Sequence, residues 1–273
     1  MGQAFAAMGA HDPRLAKFGS QLDYRLRSQF RGWKRIDPPA KRKRPVPIRV
    51  LQAFSKGAWT TRRRRDVAMS DLQWLGFYFL LRPSEYLRTG PHNIHAFCLS
   101  DVFFRDQNGV EFAATDMPLL AIRNATQVGL HFTLQKNGVA GETIWLHALA
   151  QGPTHQCPVR CAGRRVLHLR HHQAAPDTPL YTFHDEQGTC RWVADRYLTN
   201  ALRIHALALN LDCEVTIGAL RCTGATAMLN SKFPIELIKL IGRWRSDEVF
   251  RYLHTQSTTL TADVANRMLA NAM

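Results

Sequence analysis

One helical segment of the sequence is apolar on most of its faces. It spans residues 66–81 and ends directly before Arg82 and Pro83. Its large side chains cover most of the helix surface: Val67, Met69, Leu72, Trp74, Leu75, Tyr78 and Phe79. A helix that is apolar all round has to be buried, so the remaining elements are expected to pack around this one.

Local patterns on either side of this helix predict the fold class. Asn108-Gly109 and Asn137-Gly138 each lie between alternating apolar runs, which is a strong β-hairpin signal. The strands are expected at residues 99–104, 110–112, 130–136 and 143–147. Helical patterns occupy residues 48–56, 159–172, 191–209, 218–231 and 234–244. The sequence therefore predicts a mainly α fold with a small antiparallel β-sheet, of the α+β class.

The positive charge is concentrated at the start of the chain. The 273 residues carry 36 Lys+Arg against 21 Asp+Glu, a net charge of +15. Residues 1–65 hold 17 of these bases and 3 of the acids, so the remainder of the chain is nearly neutral. This distribution indicates a polyanionic partner, and double-stranded DNA is the first expectation. RNA or an acidic membrane surface explains the charge but not the motifs below, so no membrane partner is expected.

Two basic runs are the candidates for phosphate contacts. Lys41, Arg42, Lys43 and Arg44 lie in a Pro-rich segment, residues 37–47, which we interpret as a linker. Arg62, Arg63, Arg64 and Arg65 directly precede the central helix. A solvated linker is the plainer interpretation of the first run. Six cysteines in a chain of this length do not indicate a disulfide framework. We expect a reducing compartment, nuclear if the source is eukaryotic and otherwise cytoplasmic, and not secretion.

Three cations lie in surroundings that suggest phosphate chemistry. Arg82 follows the apolar helix, with Glu85 placed to pair with it, and Arg221 begins an apolar, small-residue helix. Lys136 precedes the second Asn-Gly turn. Guanidinium groups offer bidentate donors to phosphate oxygens and keep their charge. Taken singly, each residue also has a plain structural explanation: a helix-end arginine for Arg82, a core ion pair for Arg221 and a turn lysine for Lys136.

A longer motif places these residues in a known order. The run Gly242-Arg243-Trp244-Arg245-Ser246-Asp247, followed by Phe250-Arg251-Tyr252, resembles the catalytic end of tyrosine recombinases, also called the phage-integrase family. Its Gly-Arg-Trp-x-Ser-Asp form is similar to the members associated with eukaryotic mobile elements. The resemblance extends over residues 10–260. It implies the tyrosine recombinase catalytic fold and site-specific DNA recombination or integration.

The resemblance also implies a role for each residue. Arg82 and Arg221 would bind the scissile phosphate, and Lys136 would protonate the leaving 5′ oxygen. Trp244 would donate to the phosphate, with Arg243 as the alternative because the alignment shifts by one residue. Tyr252 would be the nucleophile that forms a 3′-phosphotyrosyl bond. This covalent bond conserves the energy of the broken one, so no cofactor is expected.

Two departures from the family pattern suggest a second interpretation. The family usually carries histidine three residues before its second arginine, whereas this chain has Gly218. His205 is the one candidate to replace it. The family's N-terminal DNA-binding domain is also reduced to one basic amphipathic helix. The alternative function is therefore a catalytically decayed, DNA-binding descendant of a mobile-element integrase.

The resemblance divides the chain into four segments. These are a remnant core-binding helix at 1–36, the linker at 37–47, the catalytic domain at 48–261 and a tail helix at 262–273. An active enzyme would act as a tetramer on DNA, in which the tail helix docks on a neighbouring protomer. No metal site is assigned: Cys157, Cys161, His168, His171 and His172 lack finger spacing, and an amphipathic helix with half-buried cysteines explains them.

Overall fold

The computed structural model describes residues 44–90, 96–133, 141–211, 215–245 and 249–250. All of them belong to one compact unit, Lys43–Met273. The predictions for segments 1–36 and 262–273 lie outside the described residues. Five predicted contact and site residues also lie outside the described residues: Lys41, Arg42, Lys43, Lys136 and Tyr252.

The described elements alternate as the sequence predicted, with helices before and after a small sheet. The helices are α1 (Ile48–Thr61), α2 (Arg64–Tyr78), α3 (Pro83–Tyr86), α4 (Leu119–Asn124), α5 (Pro158–His171), α6 (Asp195–Ala208), α7 (Ala219–Asn230) and α8 (Ile235–Gly242). The strands are β1 (Val102–Arg105), β2 (Glu111–Ala113), β3 (Gln127–Phe132), β4 (Glu142–His147), β5 (Thr182–His184) and β6 (Cys190–Trp192). The mainly α fold with a small antiparallel sheet is confirmed.

Helix α2 is the centre of the core. It packs against α1, α5 and α7, and its residues from Ala68 to Gly76 are buried. The polar side chains in this stretch have partners: Ser70 Oγ lies 2.8 Å from Ser55 Oγ, and Gln73 Nε2 donates to the Leu51 carbonyl oxygen at 3.0 Å. Such pairing offsets the cost of burying polar groups. The prediction of a central, buried helix is confirmed.

The first sheet has the order β2-β1-β3-β4, and all its pairs are antiparallel. Val102 lies opposite Leu130, and Phe104 lies opposite Val128. These four side chains are fully buried, whereas Arg105 lies over the Trp145 ring, 3.7 Å from its centroid. One face therefore joins the core, as the alternation of apolar residues predicted.

The helical prediction for residues 191–209 is wrong at its start. Cys190–Trp192 is a strand that pairs with Thr182–His184, and the helix begins only at Asp195. The turn between the strands is stabilised by Asp185 Oδ1, which accepts the amide of Thr189 at 2.8 Å, and by Gly188 at φ +79°. This Asx-type turn forms a hairpin that has no Asn-Gly pair.

The C-terminal helices form a second small core against the end of α2. It consists of buried Leu80, Ala225, Ile238, Trp244 and Val249. Helix α7 approaches α2 so closely that a Cβ atom at Gly224 would lie 2.2 Å from the Phe77 carbonyl oxygen. Glycine is therefore required at this contact, which lies at the base of the candidate site.

Candidate functional site

The chain turns sharply between α2 and Arg82. Helix α2 ends at Tyr78. Two residues later, Leu80 takes the left-handed conformation at φ +50°, which turns the chain. Pro83 then occupies the first position of α3, where its missing N–H and fixed φ are favourable. The Arg82 amide donates to Glu85 Oε2 at 2.7 Å. These local preferences place Arg82 at the end of the central helix.

The Glu85 carboxylate joins two arginines that are distant in sequence. Its Oε1 accepts from Arg82 Nη1 at 2.9 Å, and its Oε2 accepts from Arg243 Nη2 at 2.8 Å. The side chains of Glu85 and Arg243 are 4% and 2% exposed, whereas that of Arg82 is 21% exposed. The predicted pairing of Arg82 with Glu85 is present, and Arg82 is the member of this triad that reaches the surface.

Arg243 is held from several sides. It ends α8 in the left-handed conformation, and its Nη1 donates to the carbonyl oxygens of Phe79 at 3.1 Å and Ile241 at 2.9 Å. Its guanidinium lies 3.9 Å from the centroid of the Phe132 ring. Burial lowers the pKa of Arg243 to about 10, although the neighbouring Glu85 raises it. Arg243 therefore remains a cation at neutral pH.

Arg221 reaches the same place from α7. Its Nη1 donates to the Leu80 carbonyl oxygen at 2.6 Å and its Nη2 to the Gly242 carbonyl oxygen. The guanidinium also lies 4.1 Å from the centroid of the Trp244 ring, a cation–π geometry. A Cβ atom at Gly242 would lie 1.7 Å from this ring, so only glycine fits beneath it.

The structure thus brings Arg82, Glu85, Arg221, Arg243 and Trp244 together. Arg82 and Arg243 pair with the buried Glu85 carboxylate, and Arg221 lies beside Trp244. Glu142 lies close enough to raise the pKa of Arg243. Arg221 is 4% exposed and Trp244 is 9% exposed. The cluster can offer guanidinium donors to an anion, with Arg82 as its accessible member.

Arg243 and Trp244, the two candidates for the predicted phosphate donor, have different surroundings. Arg243 is bound to Glu85 and to backbone carbonyl groups, whereas Trp244 lies against Arg221. Trp244 is therefore beside the second predicted phosphate-binding arginine. Arg243 fixes the carboxylate that orients Arg82.

Gly218 and His205 do not provide the family's usual histidine at this place. Gly218 adopts φ −66° and ψ −12° just before α7, three residues ahead of Arg221, and has no side chain to offer. His205 packs edge-on against Phe54, and its Nδ1 lies 2.9 Å from the Ala201 carbonyl oxygen. The His205 ring is thus part of the contact between α6 and α1.

The four arginines at residues 62–65 have two kinds of surroundings. Arg62 ends α1 in the left-handed conformation, and Arg64 is tied to the β5–β6 hairpin. The Arg64 amide donates to Glu186 Oε1 at 2.9 Å, and its Nη1 donates to the Asp185 carbonyl oxygen at 2.9 Å. Arg63 and Arg65 instead line a surface cavity. Arg44, from the other predicted run, is exposed.

This cavity measures about 1040 Å³ and combines arginines with exposed aromatic rings. Five arginines line it against three acids: Arg63, Arg65, Arg88, Arg191 and Arg196, with Asp185, Glu186 and Asp195. The Arg88 guanidinium lies 3.9 Å from the Trp192 ring centroid, and Arg196 Nη2 donates to the Tyr197 hydroxyl at 3.2 Å. Trp192 is 48% exposed and Tyr197 is 38% exposed.

Sequence reasoning found Arg63 and Arg65 but missed the other basic and aromatic residues of this cavity. The available signal was a repeated Arg-aromatic pair, Arg191-Trp192 and Arg196-Tyr197. Both pairs lie inside the predicted helix at 191–209, so they were not singled out. Because β6 is a strand, the first pair lies on a hairpin and the second at the start of α6. Basic and aromatic side chains arranged in this way are typical of nucleic-acid-binding surfaces.

Comparisons with known proteins give a likeness of fold at low identity. No protein-family model and no curated protein matches the chain. Among solved structures, the chain is similar to the crystal structure of XerA recombinase, with 14% sequence identity and a TM-score of 0.47. The match covers 85% of this chain and 66% of that chain.

No helix among the described residues is long and apolar enough to cross a membrane.

Proposed function

We propose that the chain binds duplex DNA and that it breaks and rejoins DNA strands as a site-specific tyrosine recombinase or integrase. One observation carries the proposal. Arg82, Arg221 and Trp244 are up to 162 residues apart in sequence, yet they meet around Leu80 and Glu85. Side chains this close together would bind one phosphate once Arg221 exchanges its backbone contacts for phosphate oxygens.

The cavity lined by arginines and aromatic rings supports DNA as the partner. Arg88 of this cavity follows Arg82 by six residues, with α3 between them. Six residues span at most about 20 Å, so the cavity and the arginine cluster are no farther apart than that along the chain. A duplex carries one phosphate charge per about 1.7 Å of its axis, so one DNA segment can contact both places. The exposed arginines Arg44, Arg62, Arg63 and Arg65 would add contacts that are independent of base sequence.

The proposed reaction needs few groups. The Tyr252 hydroxyl loses its proton to water as its oxygen attacks the scissile phosphorus, because Gly218 offers no side-chain base. A bond forms between tyrosine and the 3′ phosphate, and the bond to the 5′ oxygen breaks. Lys136 gives its proton to that leaving oxygen. Arg82 and Arg221 stabilise the charge on the non-bridging oxygens, and the indole N–H of Trp244 donates to one of them. The incoming 5′ hydroxyl of a second strand reverses these steps, so we expect four protomers on two duplexes.

A DNA-binding protein that has lost this activity is the second candidate. It is favoured by Gly218, which cannot exchange a proton or donate a side-chain hydrogen bond. Loss of a general acid or base typically costs about 10²–10⁴-fold in rate. In addition, two Arg221 donors are directed to backbone carbonyl groups and the residue is 4% exposed, so phosphate contact requires a local rearrangement.

The experiment uses a pool of nicked duplexes with randomised flanking sequence, in which cleavage releases a short end and traps the covalent complex. We expect the chain to form an adduct that survives denaturation. The adduct should be absent in Tyr252→Phe, strongly reduced in Arg82→Ala and retained in the control Tyr78→Phe, which changes a half-buried tyrosine outside the cavity. Persistence in Tyr252→Phe would refute the nucleophile.

Gly218→His distinguishes the two candidates. If the wild type binds DNA without an adduct and Gly218→His forms one, the chain is a decayed enzyme. If neither protein forms an adduct although both bind DNA, the chain is a DNA-binding protein. If neither protein prefers DNA to a neutral polymer, both candidates fail.

A further inference from the structure

We propose that His168, His172 and His184 form a binding site for a transition-metal ion of the Zn²⁺ class. Each of these residues offers one ring nitrogen, and these nitrogen atoms all lie within 4.8 Å of one another. His168 lies in the last turn of α5, His172 directly follows that helix, and His184 ends β5. The site would therefore join two elements.

The three rings already form one cluster. The centroids of His172 and His184 are 3.8 Å apart with an interplanar angle of 12°, and His168 lies 4.9 Å from the first and 5.5 Å from the second. His168 Nε2 accepts the backbone N–H of His184 at 2.9 Å. This hydrogen bond connects the helix side chain to the strand that carries the third histidine.

One ring nitrogen of the cluster has an unexplained environment. His184 Nδ1 is buried and has no hydrogen-bond partner among the described residues. A buried polar atom without a partner is uncommon in folded proteins, and a bound water or an ion would satisfy it. Coordination would satisfy this atom.

The chemistry of the donors selects the class of ion. Three imidazoles suit Zn²⁺, Cu²⁺ or Ni²⁺, and three protein ligands leave a fourth position for water. Metal ions bind imidazole in its neutral form, so binding of the ion would compete with protonation of these rings.

Modest side-chain movement completes the site. The lone pair of a ring nitrogen lies in the plane of its ring, and the planes of His172 and His184 are nearly parallel and 3.8 Å apart at their centroids. For both rings to bind one ion, His172 or His184 must turn about χ2, a torsion with broad preferences. All three rings are half-buried, and His172 is the one that lies outside regular helix and strand, so it is the ring that we expect to turn. His168 Nε2 would exchange the His184 amide for the ion.

Neighbouring charges set the affinity. Arg64 and Arg165 face the cluster and oppose a cation, whereas Asp185 beside His184 favours one. The Arg165 charge is engaged with the carbonyl oxygens of Leu180 and Thr182. We therefore expect binding that is weaker than in a closed four-ligand structural zinc site.

The test titrates the full chain with Zn²⁺ alone against a chromophoric chelator. We expect one ion to bind, and each of His168→Gln, His172→Gln and His184→Gln to weaken binding at least about tenfold. His147→Gln, an exposed histidine on β4, is the matched control and should bind as the wild type does. The thermal unfolding temperature should rise with Zn²⁺ in the wild type and not in His184→Gln.

Two outcomes would overturn the site. One is binding within twofold of the wild type in all three variants, and the other is a bound ion that persists when all three histidines are replaced. His172→Gln changes a half-buried side chain outside the regular helix, so it is the variant that best preserves the fold. If His168→Gln or His184→Gln fails to fold, the His172→Gln titration and its unfolding shift decide.

Discussion

Replacing Glu85 by glutamine should expose how much the arginine cluster depends on one carboxylate. Glu85 is 4% exposed and Arg243 is 2% exposed, so Glu85→Gln leaves a buried guanidinium without its counter-charge. Removing one partner of a buried ion pair typically costs about 3–5 kcal/mol. Glutamine keeps the volume and one acceptor oxygen, so we expect the lower end, about 3 kcal/mol. For a domain of this size that corresponds to a fall of about 6–12 °C in the unfolding temperature.

The assay is urea unfolding followed by circular dichroism, combined with a double-mutant cycle. Arg243→Met removes the buried charge, so the double variant should be more stable than the sum of the two single effects by about 1–3 kcal/mol. Glu236→Gln, an exposed change on α8, should stay within about 0.5 kcal/mol of the wild type. If Glu85→Gln also stays within 0.5 kcal/mol, or if the cycle shows no coupling, Glu85 does not hold this cluster together.

Three further predictions concern the α2–α7 contact, the histidine cluster and the cavity. Gly224→Ala should destabilise the fold by at least about 1–3 kcal/mol in urea unfolding, because its Cβ would lie 2.2 Å from a carbonyl oxygen, whereas Gly90→Ala meets nothing within 4 Å. Between the ordinary pKa of 6.5 and the folded pKa of about 3, the unfolded chain binds a proton at His168 that the folded chain does not. The free energy of unfolding should therefore fall as the pH drops below 6.5, and His168→Gln should flatten the profile. Arg196→Ala should reduce the slope of log DNA affinity against log salt by about 0.9 if this arginine neutralises one phosphate, as measured by fluorescence anisotropy.

Each of these has a contrary result. Equal stability of Gly224→Ala and Gly90→Ala would mean that α7 does not approach α2 as described. A pH profile of stability that His168→Gln leaves unchanged would show that this ring titrates normally in the folded chain. An unchanged salt slope in Arg196→Ala would remove the cavity from the DNA-binding surface.

The fold was predictable wherever local chemistry decides it. The apolar run at 66–81 required a central helix, and Asn108-Gly109 lies in the loop between β1 and β2. The β5–β6 hairpin escaped prediction because its turn depends on Asp185 accepting amides and on Gly188, not on an Asn-Gly pair. A three-residue strand also carries too few residues to show a period of two.

Several residues of the arginine cluster could be named from the sequence, but their arrangement could not. The resemblance picked out Arg82, Arg221 and Trp244, and spacing suggested the Arg82–Glu85 pair. That Arg243 shares the same carboxylate is a tertiary fact, since 158 residues separate it from Glu85. The proposed metal site was not predicted for the same reason. His184 lies on a strand, distant in sequence from His168 and His172, and those two histidines alone did not indicate a set of ligands.

The most direct test of the central claim is to map the residue that carries the DNA. The trapped complex is digested with nuclease and protease, and the peptide that retains a nucleotide is sequenced by mass spectrometry. We predict that the nucleotide is attached to Tyr252 through a 3′ phosphate. Attachment to any other tyrosine, or to a serine, would contradict the proposed mechanism.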